Sequence, residues 1–232
     1  HIGGFNRFTT LFHGGFDGWD VTEKDPLRQS AFATSPTSIN DYKYHTVKRA
    51  IDTMRDTEFM EFNLATMPGI DNESLTGDLI ETCEERGDAL AIIDLTGDYT
   101  PRSESTANAA TRRPNVGDTV RNLRLRSINS SYGAAYFPWV MIRDTNSNQI
   151  VDMPPSVVAL GTMSNSERKK ALWFAPAGFT RGGLSEGAAG IPVVGVKYQL
   201  NAKERDELYG ANINPIATFP AEGIVIFGQK TL

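Results

Sequence analysis

Asp94 is the best-placed candidate for chemistry in this 232-residue chain. It closes the apolar run of I-I-D-L-T-G-D, and α/β enzymes often keep a functional carboxylate at such a strand end. The plainer and commoner use of an acid there is to cap the loop that follows. An α/β enzyme domain working through Asp94 is the reading of a different class to weigh against any structural role.

Other candidates fail on spacing. His1, His13 and His45 show neither H-x-x-x-H nor H-E-x-x-H, and a zinc site wants about four N or S ligands, so no metal site is expected. The single cysteine, Cys83, excludes an internal disulfide and stands among Glu81, Glu84 and Glu85, which disfavour a thiolate. It is expected to be a small buried apolar side chain. Asp17 and Asp20 in G-G-F-D-G-W-D lack the ligand spacing of a calcium loop, so a hairpin turn is expected. The stretch F-T-R-G-G-L-S-E-G-A-A-G has no following G-K-[ST] and reads as a flexible surface loop, not a phosphate cradle. No G-x-S-x-G elbow is present, although a Ser–His–Asp triad depends on spatial proximity and stays open. No cofactor is expected.

Arg112, Arg113, Arg121, Arg124 and Arg126 stand against one acid, Asp118, in T-R-R-P-N and the helix after it. Such a cluster could meet nucleic acid, but no aromatic residues are interleaved to stack on bases. A solvated face, or a contact with an acidic protein neighbour, including a second copy, suits it better. Direct nucleic-acid binding is not expected. A net charge of −5 also argues against the whole chain being a polyanion binder.

The elements that would position these residues follow from periodicity and punctuation. A hydrophobic share of 40% and a charged share of 22% are those of a globular domain, and no apolar run reaches the ~20 residues of a membrane span. Phe5–Phe12 reads as a strand before a turn carrying Trp19, and residues 24–37 as an ordered loop. Ser38 is a plausible N-cap for a helix with Tyr44, Val47, Ile51 and Met54 on one face. Phe59–Met67 reads as a strand, Glu73–Arg86 as a helix stopped by Gly87, and D-A-L-A-I-I-D-L as a strand covered on both faces. Residues 96–117 form a long exposed loop, followed by a helix over Asp118–Ile128. Pro138 makes Tyr132–Ile142 an edge or bent strand. A helix over Ser156–Lys169, a mobile stretch over Gly178–Gly190, a strand at Val193–Val196, a helix at Ala202–Tyr209 and strands at Ile213–Phe219 and Gly223–Phe227 complete the chain. The fold class is α/β, with a mixed, partly parallel sheet and helices packed on both faces.

The order of certain blocks resembles the core of contractile phage tail sheath proteins. These blocks are the tyrosine-bearing helix before M-P-G at 67–69, E-E-R-G-D-A-L-A-I-I-D at 84–94, the serine–tyrosine strand with P-W at 131–140 and P-P-S at 154–156. A-P-A-G at 175–178, the N-I-N of 212–214 and the closing G-Q-K-T-L of 228–232 follow. Two places depart from the family pattern. Lys230 stands for the usual arginine, which keeps the charge and loses the planar fork, and S-N-S-E-R-K-K replaces T-D-x-x-R-G after the P-P-S helix.

The resemblance implies a structural, non-enzymatic subunit of a sheath-core type, with residues 1–232 as one core domain. It implies a helical sleeve of stacked rings around a tail tube, held extended until a baseplate triggers contraction, with no nucleotide required. Partners would be other sheath subunits, the tail tube protein and the baseplate. Assembly would take place in the bacterial host cytoplasm, and the product would sit in the virion and serve genome ejection. The sheath of a bacteriocin or an injection device uses similar blocks. Family members continue past the closing motif with an arm that adds strands to neighbours. The chain is therefore expected to be a truncated core, monomeric by itself.

Overall fold

The structure, a computed structural model, describes residues 42–232 apart from Leu172. The strand at Phe5–Phe12, its turn, the loop at 24–37 and the Ser38 cap lie outside the described residues. Helix α1 (Tyr42–Met54) and helix α2 (Glu73–Arg86) lie side by side and parallel. A constant offset of 30 residues shows this: Tyr44 meets Ser74 at 2.7 Å, Lys48 meets Asp78 at 2.9 Å, and Arg55 meets Glu85 at 2.6 Å. The Asn72 side chain accepts from Ser74 N and Leu75 N at the start of α2. Gly87, at φ 70, ends the helix by donating to the Cys83 carbonyl.

Strands β1 (Leu64–Thr66), β2 (Leu90–Ile93), β3 (Gly133–Phe137), β7 (Ile213–Phe219) and β8 (Gly223–Ile226) form one sheet in the order β1-β2-β3-β7-β8. The first three pairings are parallel and the last antiparallel. Strands β4 (Val140–Arg143), β5 (Ile150–Met153) and β6 (Val193–Val196) make a second, antiparallel sheet in the order β5-β4-β6. Alternation along the five-stranded sheet divides the core in two. Ala91, Ile93, Ala135 and Phe137 pack with α1, α2, α3 (Val116–Leu125) and α5 (Ala202–Gly210). Ile92, Ala134 and Tyr136 pack with α4 (Pro155–Lys169) and the smaller sheet. This is the mixed, partly parallel sheet with helices on both faces that the pattern predicts.

Several local expectations change. The strand near Phe59 shrinks to Leu64–Thr66, because the Arg86 guanidinium takes the Met54 and Met60 carbonyls at 2.8 and 3.1 Å and holds the preceding residues in a turn. The third helix starts two residues earlier than expected, at Val116, since Asn115 caps it by accepting from Asp118 N. The segment with Pro138 is neither an edge nor one bent strand. It is β3 in the middle of one sheet and β4 in the middle of the other, and Pro138, with no N–H to give a ladder, marks the crossing.

Residues 178–185, expected to be mobile, cover the outer edge of β8. Gly178 N and Leu184 N donate to Ile226 O and Ile224 O at 2.8 and 2.7 Å, and Ile226 N donates to Gly182 O at 2.9 Å. A side chain at Gly182 would strike the Ile226 carbonyl, so this glycine permits the close backbone approach that covers the edge.

The chain's last residues are built into the large sheet. Asn214, fully buried, donates to the carbonyls of Ala135 and Lys230 at 3.1 and 2.8 Å and accepts from Lys230 N at 2.7 Å. Leu232 then donates to Gly133 O and accepts from Ser130 N, both at 2.9 Å, beside the start of β3 where β7 has not yet begun. An Asn214→Leu variant should lose about 2–3 kcal/mol in urea unfolding, because it orphans buried backbone groups on two segments. A change below about 0.5 kcal/mol would show that the tail is held by other means.

Candidate functional site

Asp94 follows β2 directly and is only 2% exposed. Its Oδ2 accepts from Gly69 N and from Ser156 Oγ, both at 2.8 Å, and its Oδ1 accepts from Ser156 N at 3.2 Å. Pro154 offers no side-chain cap to α4, so Asp94 supplies the negative group at that helix N-terminus from across the fold. It fastens three segments: the end of β2, the M-P-G turn after β1, and α4. The capping role expected of Asp94 is therefore what the geometry shows, directed at α4 rather than at its own loop.

Asp71 and Asp98 stand near it, and neither was singled out by sequence. Asp98 Oδ1 accepts from Tyr99 N at 2.7 Å and from Trp139 N at 3.2 Å, at the crossing between the sheets. Asp98 Oδ2 and Asp71 Oδ1 are buried without a hydrogen-bond partner among the described residues. Burial is the chief cause that pushes Asp71 and Asp94 up to about 6 and Asp98 well above the ordinary carboxylate value. Repulsion from neighbouring carboxylates adds to it: Glu104 at Asp71, Asp71 at Asp94, and Asp94 and Asp71 at Asp98.

The five arginines do not form one patch. Arg112 is turned inward, where it donates from Nε to Ala107 O at 3.1 Å and from one terminal nitrogen to Tyr99 Oη and Thr100 O at 3.1 and 3.3 Å. The loop at 96–117, expected to be exposed, closes around it, because a guanidinium can satisfy several carbonyls at once. Arg126 also turns in, donating to Thr76 Oγ1 at 2.9 Å and Glu73 O at 3.1 Å in the first turn of α2. Arg121 is exposed and pairs with Asp118 at 2.7 Å. Arg124 is exposed with no ion pair among the described residues. Arg113 lines an open polar cleft of about 810 Å³ with Asp98, Asp118, Glu204 and Glu207, an acid-rich lining that does not suit an anionic ligand.

Cys83 is fully buried, and burial pushes its thiol up to about 11, so it is an apolar filler. His45 lies exposed on α1, in edge contact with Tyr44, while His1, His13, Asp17 and Asp20 lie outside the described residues. No group of three or more metal-ligating side chains occurs among the described residues, and no helix there is long and apolar enough to cross a membrane.

The raised carboxyls fix the sign of a pH effect. With folded values near 6 and unfolded values near about 3.9, the folded state binds more protons in that window. Their contribution to stability is full below about pH 4 and is lost as pH rises through 6. Asp94→Asn removes one titrating group and sets an amide N–H₂ against the Gly69 or Ser156 donors, costing about 1–3 kcal/mol. Urea titrations between about pH 4.5 and 7.5 should show that the variant loses part of this acid-side gain. Identical pH slopes in the two proteins would refute the assignment.

No protein-family model matches the chain. Over 71 residues it is 34% identical to the tail sheath protein of Vibrio phage KVP40, a stretch covering 31% of this chain and 10% of that protein. In fold it is similar to a chain of the anti-feeding prophage helical sheath in the contracted state, with a TM-score of 0.52 and 20% identity, covering 80% of this chain and 42% of that one. A chain of the six-fold symmetrised baseplate of the anti-feeding prophage is similar with a TM-score of 0.53 and 19% identity, covering 80% and 41%. The chain thus spans a tenth of the sheath protein it matches in sequence and about two fifths of the chains it matches in fold. The order of blocks in its sequence and the 71 matched residues are similar to those of tail sheath proteins, and the fold is similar to that of a chain from a contracted helical sheath.

Proposed function

We propose that the chain is the core of a structural subunit that polymerises as helical rings around a tail tube and contracts to drive that tube into a cell envelope. The observation that carries this is the fold likeness, over 80% of the chain, to a protein of a contracted helical sheath. The buried fastening of Asp94 supports a non-enzymatic role, since both carboxylate oxygens are taken up by the chain's own donors. Partners in this reading are further copies of the subunit, the tail tube protein and the baseplate, with no nucleic acid and no cofactor. Residues 1–232 act as one core domain, and Arg113, Arg121 and Arg124 remain available to neighbours where Arg112 and Arg126 serve the fold. The device is the tail of a phage that ejects its genome, or an injection system of the anti-feeding prophage kind. In the phage case assembly takes place in the host cytoplasm and the product resides in the virion.

Assembly provides the test. The 232-residue chain should sediment as a monomer at micromolar concentration. The complete gene product, expressed with its tube protein, should form regular hollow sleeves by electron microscopy. Sleeves built by the 232-residue chain alone would overturn the monomer, and a complete product that never forms sleeves would overturn the sheath reading.

A further inference from the structure

Two surface patches of opposite character sit at opposite ends of α2. One lies at the end of α3, where Leu125 is 77% exposed beside the exposed Arg121 and Arg124. Arg126, the next residue, anchors this end to the first turn of α2 through Glu73 O and Thr76 Oγ1. The other is the turn before β1, where Phe59 is 66% exposed between the exposed Glu58 and Glu61. Arg86, the last residue of α2, anchors that turn through Met54 O and Met60 O and lies over the Phe62 ring at 4.2 Å. Glu58, Glu61 and Arg124 have no ion pair among the described residues. Helix α2 has 14 residues, so the anchors lie about 20 Å apart along it. One chain cannot bring its own patches together.

We propose that these patches bind each other between copies: Leu125 with Arg121 and Arg124 on one copy seats against Phe59 with Glu58 and Glu61 on the next. Each side presents a large apolar side chain flanked by charges, with opposite signs on the two sides, so wrong pairings of like patches are repelled. With each copy using its two patches on two different neighbours, the contact is heterologous, and repeated it generates a ring or a helical filament. The inference rests on the sheath reading for its setting and names the contact that reading lacks.

Cysteine cross-linking tests it, and buried Cys83 does not compete. Leu125→Cys and Phe59→Cys variants are oxidised singly, mixed and combined, both as the 232-residue chain at high concentration and in assembled sleeves of the complete gene product. The mixture should give a cross-linked dimer on the order of tenfold faster than either variant alone, and the double variant a ladder of oligomers. Arg124→Glu should slow the mixture, and Glu58→Arg on the partner should restore it. Faster dimers from Leu125→Cys alone, or a mixture no faster than one using Ile150→Cys in place of Phe59→Cys, would overturn the contact. Sleeves that form without the cross-link defeat the contact and leave the sheath reading standing. A ladder without sleeves does the reverse.

Discussion

The carboxamide of Asn214 closes the large sheet, and the packing on both of its faces depends on that closure. β7 begins only opposite Ala135, so the first residues of β3 would face an open place in the middle of a buried sheet. The chain's last residues fill that place, and Asn214 holds them with one donor to Lys230 O, one to Ala135 O, and an acceptor for Lys230 N. A neutral amide alone among small side chains can give and take at once in this way. Leu232 then brings its side chain into the core shared with α2, α3 and α5. The N-I-N and G-Q-K-T-L blocks are thus two halves of one contact.

At the other end of the sheet the fastening is carboxylate. Strand ends of a parallel sheet are where α/β enzymes place ligands. Here the position beyond β2 is filled by the chain itself: Asp94 draws in Gly69 and the start of α4, and Asp98 draws in Trp139 as the backbone passes to the second sheet. Burying such groups is costly, and the oxygens of Asp71 and Asp98 that lack a partner among the described residues make the cost visible. What the arrangement gains is a fixed relation between α4 and both sheets.

Local signals specify most elements, because caps and periodicity need only a few neighbouring residues. Helix α2 with Asn72 and Gly87, and helix α5 with the Asn201–Glu204 capping box, show this. What misled was whatever depended on distant backbone. The glycines of 178–185 read as slack because their partners are the amides and carbonyls of β8, which no side-chain pattern reports. Pro138 read as a bend, since a change of sheet looks the same as a kink from within one segment. For the candidate site, Asp94 was legible from its strand end, whereas Asp71 and Asp98 lay in polar stretches without periodicity. The arginines could be counted but not oriented. Arg112 and Arg126 point inward onto loop and helix oxygens that only the assembled fold brings within reach.

In the proposed sheath role each subunit must move as a body, or the free energy released between subunits is lost in deforming them. The parallel α1–α2 pair is suited to that demand. Arg55 reaches Glu81 and Glu85, Lys48 reaches Asp78, and Arg86 ties the turn before β1 to the far end of α2. Exposed ion pairs of this kind contribute little stability singly. Spaced along two helices, they fix register and resist sliding. The two anchored patches are then held at a set separation by α2, so a force applied at one end reaches the other without an intervening hinge. In the proposed assembly, contact between copies and rigidity within each copy are one design, with the anchoring arginines Arg86 and Arg126 serving both.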